Sequence, residues 1–302
     1  MRDFLKERLF LCIGSSWDKE SLFVITSENC IQKFKEDFMF RLDPKTIDLY
    51  QRAIKQLLQY CEKPFEDIIS RDIRNWLLHL NEKGYKPITV NAKLFGLKLF
   101  YQYCVEEKFV SNNPLNSIIF PDIEDKLPRY LEIGQLLQLR KYVEGKLQER
   151  AIVEVLYATG VRIGELAEIK KEDIDWSERI IYIRKGKRKK ERIVLFTRLC
   201  EEHLKSYLHN RSDNLPFLFV NKSGTRKVCI RTIQGDFSNY RQQLHIEITP
   251  HTLRHTFAAH LAIKGMPIEC VQVLLGHEKP NQTHLYARLY HQARKEKYDE
   301  WM

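Results

Sequence analysis

The chain has 302 residues, 43% of them hydrophobic and 30% charged, a composition suited to a globular protein with room for two domains. Its 50 Lys and Arg against 40 Asp and Glu give a formal charge of +10, which points to an acidic partner, because clustered cations attract polyanions and release their counterions on binding. No segment approaches the roughly 20 apolar residues of a membrane-spanning helix, and seven singly scattered cysteines argue for a reducing cytoplasm over a disulfide framework or a zinc ribbon.

At the N-terminus, Arg2, Lys6 and Arg8 precede LFLCIG in a faint imitation of a signal peptide. That apolar run is short and interrupted by charge, so residues 1–28 are read as an amphipathic extension. From Pro44 to Cys61 the spacing predicts a helix: Asp43 caps it, Pro44 suits the first position, and Ile47, Tyr50, Ile54, Leu57 and Cys61 recur every three or four residues. A second helix is predicted in SRDIRNWLLHLNEKG, with Ser70 as cap and Gly84 as stop. The third lies in PITVNAKLFGLKLFYQYCVEE, where Val90, Leu94, Leu97, Tyr101 and Cys104 form one stripe. Residues 29–120 therefore read as a small all-helical domain.

Periodicity breaks in NSIIFPDIEDKLPRYLE, where Pro121 and Pro128 sit among charges, and residues 121–130 read as a linker. Beyond it, residues 131–302 open with helical patterns in LEIGQLLQLRKYVEG and RAIVEVLYATG. The β-branched runs RIIYIRKG and ERIVLF then predict antiparallel strands around a basic turn. Helices resume at Arg198 and Thr249. The fold class expected is mainly α, with a small antiparallel sheet in the second domain.

Thr249 followed by Pro250 marks a helix start and puts His251 and Arg254 on its first turn and one face. A helix N-terminus favours an anion, Arg254 adds a planar two-pronged donor, and His251 adds a group that exchanges protons near neutral pH. Pro267 opens another helix that Gly276 stops, so His277 emerges just past a helix end, and Tyr286 follows nine residues later. His251 and His255 stand four apart, with His260, His277 and His284 nearby, which raises the question of a metal. A zinc-protease helix needs a glutamate beside the first histidine and Thr252 occupies that position, so no metal site is expected.

Together these motifs resemble the tyrosine recombinase (phage-type integrase) family. HTLR supplies its H-x-x-R as His251 and Arg254, LLGH its second histidine as His277, and HLY its nucleophile as Tyr286. Upstream, LYATGVRIGELAEIKKEDID resembles the segment with the family's first arginine, here Arg162, and its acidic supporter, here Glu165. The turn GKRKKER resembles the hairpin that carries the catalytic lysine. Lys187, between Gly186 and Arg188, takes that role, with Lys185 and Lys189 as alternatives because the second glycine is missing and four other basic residues crowd the turn.

The resemblance implies a helical core-DNA-binding domain, a catalytic domain and no cofactor. It also implies a size closer to the simple chromosome-dimer (Xer-like) and transposon resolution recombinases than to phage integrases with an arm-binding domain. In the implied chemistry Arg162 and Arg254 clamp the phosphate, Tyr286 attacks to form a 3′-phosphotyrosyl link, and His251 takes part in proton transfer. His277 bonds a nonbridging oxygen and Lys187 protonates the departing 5′-oxygen. The partners implied are a specific site on double-stranded DNA, a synaptic tetramer of the chain itself and, in some systems, accessory proteins, all in the cytoplasm at the nucleoid. Asn91, Lys93 and Lys98 on the third helix, and Arg188 and Lys189 on the hairpin, are the candidate DNA contacts. The tail after Tyr286 packs on a neighbouring protomer or on its own domain. Two alternatives stand beside recombination: nicking and resealing like a type IB topoisomerase, and a non-catalytic DNA-binding accessory protein. Integration, excision and resolution are equally compatible with these residues.

Overall fold

The computed structural model describes residues 25–123, 127–184, 191–276 and 281–301. The chain divides into two compact units, Met1–Glu124 and Asp125–Met302. Among the described residues no helix is long and apolar enough to cross a membrane.

Four helices build the first unit: α1 (Ser27–Phe38), α2 (Pro44–Cys61), α3 (Ser70–Glu82) and α4 (Pro87–Glu106). Thr26 caps α1, so Ser27 and Glu28 belong to the helical unit rather than to the extension. Asp43 caps α2 as its sequence implies, its carboxylate accepting from Lys45 N at 2.9 Å. The expected cap of α3 needs correction. Ser70 is the first helical residue, and its hydroxyl donates to Pro114 O at 2.7 Å, while the Asp72 carboxylate accepts from Ile69 N at 3.0 Å. A long-range partner outcompeted the local one.

The α4 stripe is buried as expected, but so are Phe100 and Tyr103 on other faces, because this helix runs through the middle of the unit. Phe34, Phe65 and Phe100 meet edge to face around it, with centroids 5.6 and 5.9 Å apart in the two Phe100 pairs. Helix α2 lies against α4 at Gly96, where a Cβ would stand 2.6 Å from Tyr50 Cδ1 and 3.1 Å from Tyr50 Cα.

That central position decides the three groove candidates on α4. Asn91 is corrected: it is 7% exposed and donates to Pro121 O at 2.7 Å, so it ties the end of the unit down instead of facing outward. Lys93 is half-buried, donating to Gln56 Oε1 over the Tyr85 ring, and burial lowers its pKa. Lys98 is exposed.

The second unit contains α5 (Ile133–Tyr142), α6 (Leu147–Thr159), the single turn α7 (Ile163–Leu166) and strands β1 (Ile174–Asp175), β2 (Ile180–Ile183) and β3 (Arg192–Leu195). They are followed by α8 (Arg198–His209), α9 (Ile230–Leu244), α10 (Pro250–Ile263), α11 (Ile268–Leu275), α12 (Asn281–His284) and α13 (Ala287–Trp301). The sheet is antiparallel in the order β1-β2-β3, with Ile181 opposite Val194 and Ile183 opposite Arg192. Ile181, Ile183 and Val194 face the core, and Tyr182, Ile193 and Leu195 face out. Strand β1 and helix α9 are absent from the sequence expectation. The first is two residues long, and the second buries only Ile233, Phe237 and Tyr240 on an otherwise polar helix.

Helix α10 packs against α6, α11 and α13. It is buried on most sides, and Ala258, Ala259 and Ala262 let its neighbours come close. Glu154, fully buried on α6, receives Arg140 Nε and Nη2 at 2.8 and 2.6 Å and Arg150 Nε at 3.0 Å, which binds α5 to α6 with every oxygen satisfied.

The close approach at Gly96 makes a sharp prediction. Alanine favours a helix over glycine by about 1 kcal/mol, yet Gly96→Ala is expected to destabilise the protein by about 1–2 kcal/mol net through overpacking against Tyr50. Thermal melting followed by circular dichroism reads the sign, and a raised midpoint would refute the contact.

Candidate active site

The site grows from two helix ends. Gly160 terminates α6 and Gly276 terminates α11, both in the left-handed region, with φ of +61° and +63°. Helix C-termini leave carbonyls without intrahelical donors and carry the negative end of the dipole. Arg254, on the first turn of α10, turns its guanidinium into that space: Nη1 donates to Gly160 O and Nη2 to Leu275 O at 2.7 Å. It is 3% exposed. Two of its five donors hold the fork in place, and among the described residues the other three meet no acceptor.

Arg162 follows Gly160 by two residues and caps α7. Its backbone N–H donates to Glu165 Oε2 at 2.8 Å, and its Nη1 to Glu165 Oε1 at 2.9 Å. Its Nη2 lies 3.5 Å from Gly276 O, and at 31% exposure its side chain is the most open of the cations. Arg192, at the start of β3, completes the arrangement. Its two terminal nitrogens grip both oxygens of Glu165 at 2.9 and 2.7 Å. Its Cδ would be 2.7 Å from a Cβ at Gly276, so any side chain there would collide with it.

The charges explain the pKa values. Burial alone would raise Glu165, but the hydrogen bonds and charge of Arg192, then Arg162, bring it down to about 2. Burial and the facing Arg162 lower Arg254 to about 9, which leaves it cationic at neutral pH. Among the described residues three guanidiniums face one carboxylate, an excess of two positive charges.

Thr249 and Thr252 cap α10 reciprocally, Thr252 N donating to Thr249 Oγ1 at 3.0 Å and Thr249 N to Thr252 Oγ1 at 3.2 Å. On this rigid turn His251 is exposed beside a cleft lined by Ile163, Gln234, Arg241 and Thr249. Partial loss of solvation against its neighbours, then the charges of Arg254 and Arg162, lowers its pKa. One turn deeper, the His255 ring meets His251 edge to face, 4.3 Å between centroids, and its Nδ1 pairs with the Tyr286 hydroxyl. Burial, then His251 and Arg254, push His255 down to about 4, so it is neutral. Tyr286 sits in the turn between α12 and α13, 1% exposed, its N–H donating to Thr283 O at 3.0 Å. Burial raises its phenol above the usual value and Arg254 opposes this, leaving the hydroxyl protonated.

Of the residues expected from sequence, the structure brings together Arg162, Glu165, His251, Arg254 and Tyr286. His277, Lys187, Arg188 and Lys189 lie outside the described residues. His260 proves to be a core histidine, bound to Leu131 O at 2.9 Å and Tyr157 Oη at 3.0 Å. The sequence expectation overlooked Arg192 and the use made of His255. Arg192 has a signal, a cation on the inward register of a half-buried strand, sharing a face with Val194. In the sequence His255 suggests only a metal partner of His251, although it adjoins Arg254.

Residues 129–293 match the model of the phage integrase family, and residues 31–110 match that of the phage integrase N-terminal SAM-like domain. A curated relative, the tyrosine recombinase XerC of Staphylococcus aureus, is 34% identical over 268 residues, covering 84% of this chain and 89% of its own. Among solved structures, the Tn1549 transposon integrase in complex with transposon right end DNA superimposes with a TM-score of 0.78 at 21% identity, covering 91% of this chain and 100% of that one. A lambda integrase tetramer bound to a Holliday junction gives 0.71 at 20% identity, covering 85% and 78%.

The chain belongs to the phage integrase family. It is a tyrosine-type site-specific DNA recombinase, an enzyme that cleaves and rejoins DNA strands. Neither the topoisomerase-like nor the accessory-protein alternative gains support from these relatives.

Glu165 supports the two cations beside it, and its removal has a signed pH dependence. Its carboxyl pKa falls from 4.5 unfolded to about 2 folded, so its stabilisation is fully present above pH 4.5 and is lost as pH falls through 2. We expect Glu165→Gln to cost about 3 kcal/mol at pH 7. In denaturant unfolding at a series of pH values, the gap between variant and wild type should close across that window.

Proposed function

We propose that Tyr286 is the nucleophile of this recombinase and that Arg162 and Arg254 bind the scissile phosphate. What carries the assignment is the gathering, in one half-buried pocket, of Tyr286, two histidines and two guanidiniums with unspent donors. Guanidinium stays charged, so these arginines offer permanent compensation as the phosphate oxygens gain charge in the transition state. The Tyr286 oxygen attacks phosphorus, forms a 3′-phosphotyrosyl ester and releases the 5′-oxygen, which takes a proton from Lys187 on the β2–β3 hairpin. His251 faces the phosphate and His277 bonds a nonbridging oxygen. A 5′-hydroxyl from a second duplex then reverses the steps, so the ester conserves the bond energy and no nucleotide cofactor is consumed.

The net charge of +10 supports phosphate contacts as the main source of affinity. Lys93 and Lys98 on α4, and Arg188 and Lys189 on the hairpin, are the proposed DNA contacts. A tetramer on paired sites is the assembly that strand exchange requires, with the bacterial nucleoid as the place of action. Accessory proteins would act in choosing among integration, excision and resolution.

The test uses nicked duplexes drawn from the source genome, with protein–DNA adducts read on denaturing gels. Wild type should attach covalently, Tyr286→Phe should bind DNA and never attach, and Arg254→Lys should attach at least a hundredfold more slowly, since a point charge cannot replace the fork. Relaxed plasmid without recombinant product would favour the topoisomerase-like chemistry. Binding without adduct in wild type would defeat the assignment.

A further inference from the structure

The hydroxyl of Tyr286 has one hydrogen-bond partner among the described residues, and it is His255. His251, which the family resemblance places in proton transfer, instead sets its ring against His255 at 4.3 Å. The backbone that carries His255 is held on both sides. Thr252 is locked into the α10 cap, and Thr256 donates to Thr252 O at 2.8 Å while accepting from Leu131 N at 2.9 Å. Tyr286 is held as firmly, in an apolar cluster with Phe257, Ala258, Val271 and Leu275. The contact therefore joins two fixed parts of the fold, one bearing Arg254 and the other the nucleophile. For Nδ1 to accept from the phenol, the ring proton must sit on Nε2, which leaves Nδ1 bare and directed at the atom that has to lose a proton.

Resting on the reading of Tyr286 as the nucleophile, we propose that His255 is the group that takes the Tyr286 proton during strand cleavage and returns it during rejoining. As Oη bonds to phosphorus the proton passes to Nδ1, the P–O5′ bond breaks, and O5′ leaves with a proton from the hairpin lysine. In the reverse step the incoming 5′-hydroxyl gives its proton to that lysine, the P–Oη bond breaks, and the imidazolium reprotonates Oη. Oη is buried, so DNA must uncover it, and the His255 bond keeps the hydroxyl beside Arg254 as that happens. The imidazolium formed is offset by the phosphorane charge that develops next to it. His251 is then free to face the phosphate.

His255→Ala and His255→Asn separate holding from proton transfer, because asparagine keeps a polar atom near the Nδ1 position but cannot accept the proton. The rate of covalent attachment is measured under single-turnover conditions with protein in excess over a nicked duplex, beside DNA affinity and melting temperature. Both variants should bind like wild type and attach about 100- to 1000-fold more slowly, with free imidazole restoring part of the rate to His255→Ala alone. If the alanine protein proves unfolded, the asparagine protein decides. Attachment by His255→Asn at the wild-type rate would overturn the proposal, as would a loss explained by weaker DNA binding. A wild type that forms no adduct would instead sink the reading of Tyr286, and this proposal with it.

Discussion

Three guanidiniums share one pocket of the second unit with a single carboxylate, and much of the surrounding architecture exists to make that tolerable. Like charges in a low-dielectric interior repel strongly, so each must be given acceptors. Glu165 takes Arg162 and Arg192 and absorbs a backbone N–H as well. Arg254 is satisfied differently, by the terminal carbonyls of α6 and α11. Those carbonyls are available only because both helices stop at left-handed glycines. Helix termination, usually a local matter, here determines where a cation can be stored.

The compensation is deliberately incomplete, since an excess of positive charge remains. In the proposed chemistry that excess suits a phosphodiester, whose negative charge it would balance. Burial pushes His255 down to about 4, so it is neutral, and keeps Tyr286 protonated, while the pKa of His251 is lowered as well. A phenol so placed is a poor nucleophile. Under the proposed mechanism, the negative charge of a bound phosphate would favour an imidazolium nearby, which would couple binding to activation through the same electrostatics.

The first unit has a simpler logic, with α4 as an axis buried on several faces. Its apolar stripe is legible in sequence, but residues on its other faces are buried too, so positions that look like a wet face can be turned inward. Asn91 is the case in point. A candidate DNA contact under the family resemblance, it spends its amide on Pro121 at the end of the unit. Ser70 erred likewise, as a cap by local rules whose hydroxyl a distant carbonyl claims.

Local chemistry was legible from the chain alone. Asp43 and Thr249 as caps, Gly276 as a stop, the β2–β3 hairpin from its β-branched runs, and the order of Arg162, Glu165, His251, Arg254 and Tyr286 all follow from short-range stereochemistry or motif spacing. Arg192 and His255 were not legible in their roles, because their partners are 27 and 31 residues away in sequence and no spacing rule connects them. The sequence by itself determined the helical class, the cationic character and the motifs that nominate the candidate site, since these depend on residue type and on neighbours within a turn or two. Only the tertiary structure decided which carbonyls hold Arg254, which arginine completes Glu165 and which histidine meets the tyrosine. Those contacts form between elements distant in the chain, brought together by burial of the core around α6 and α10.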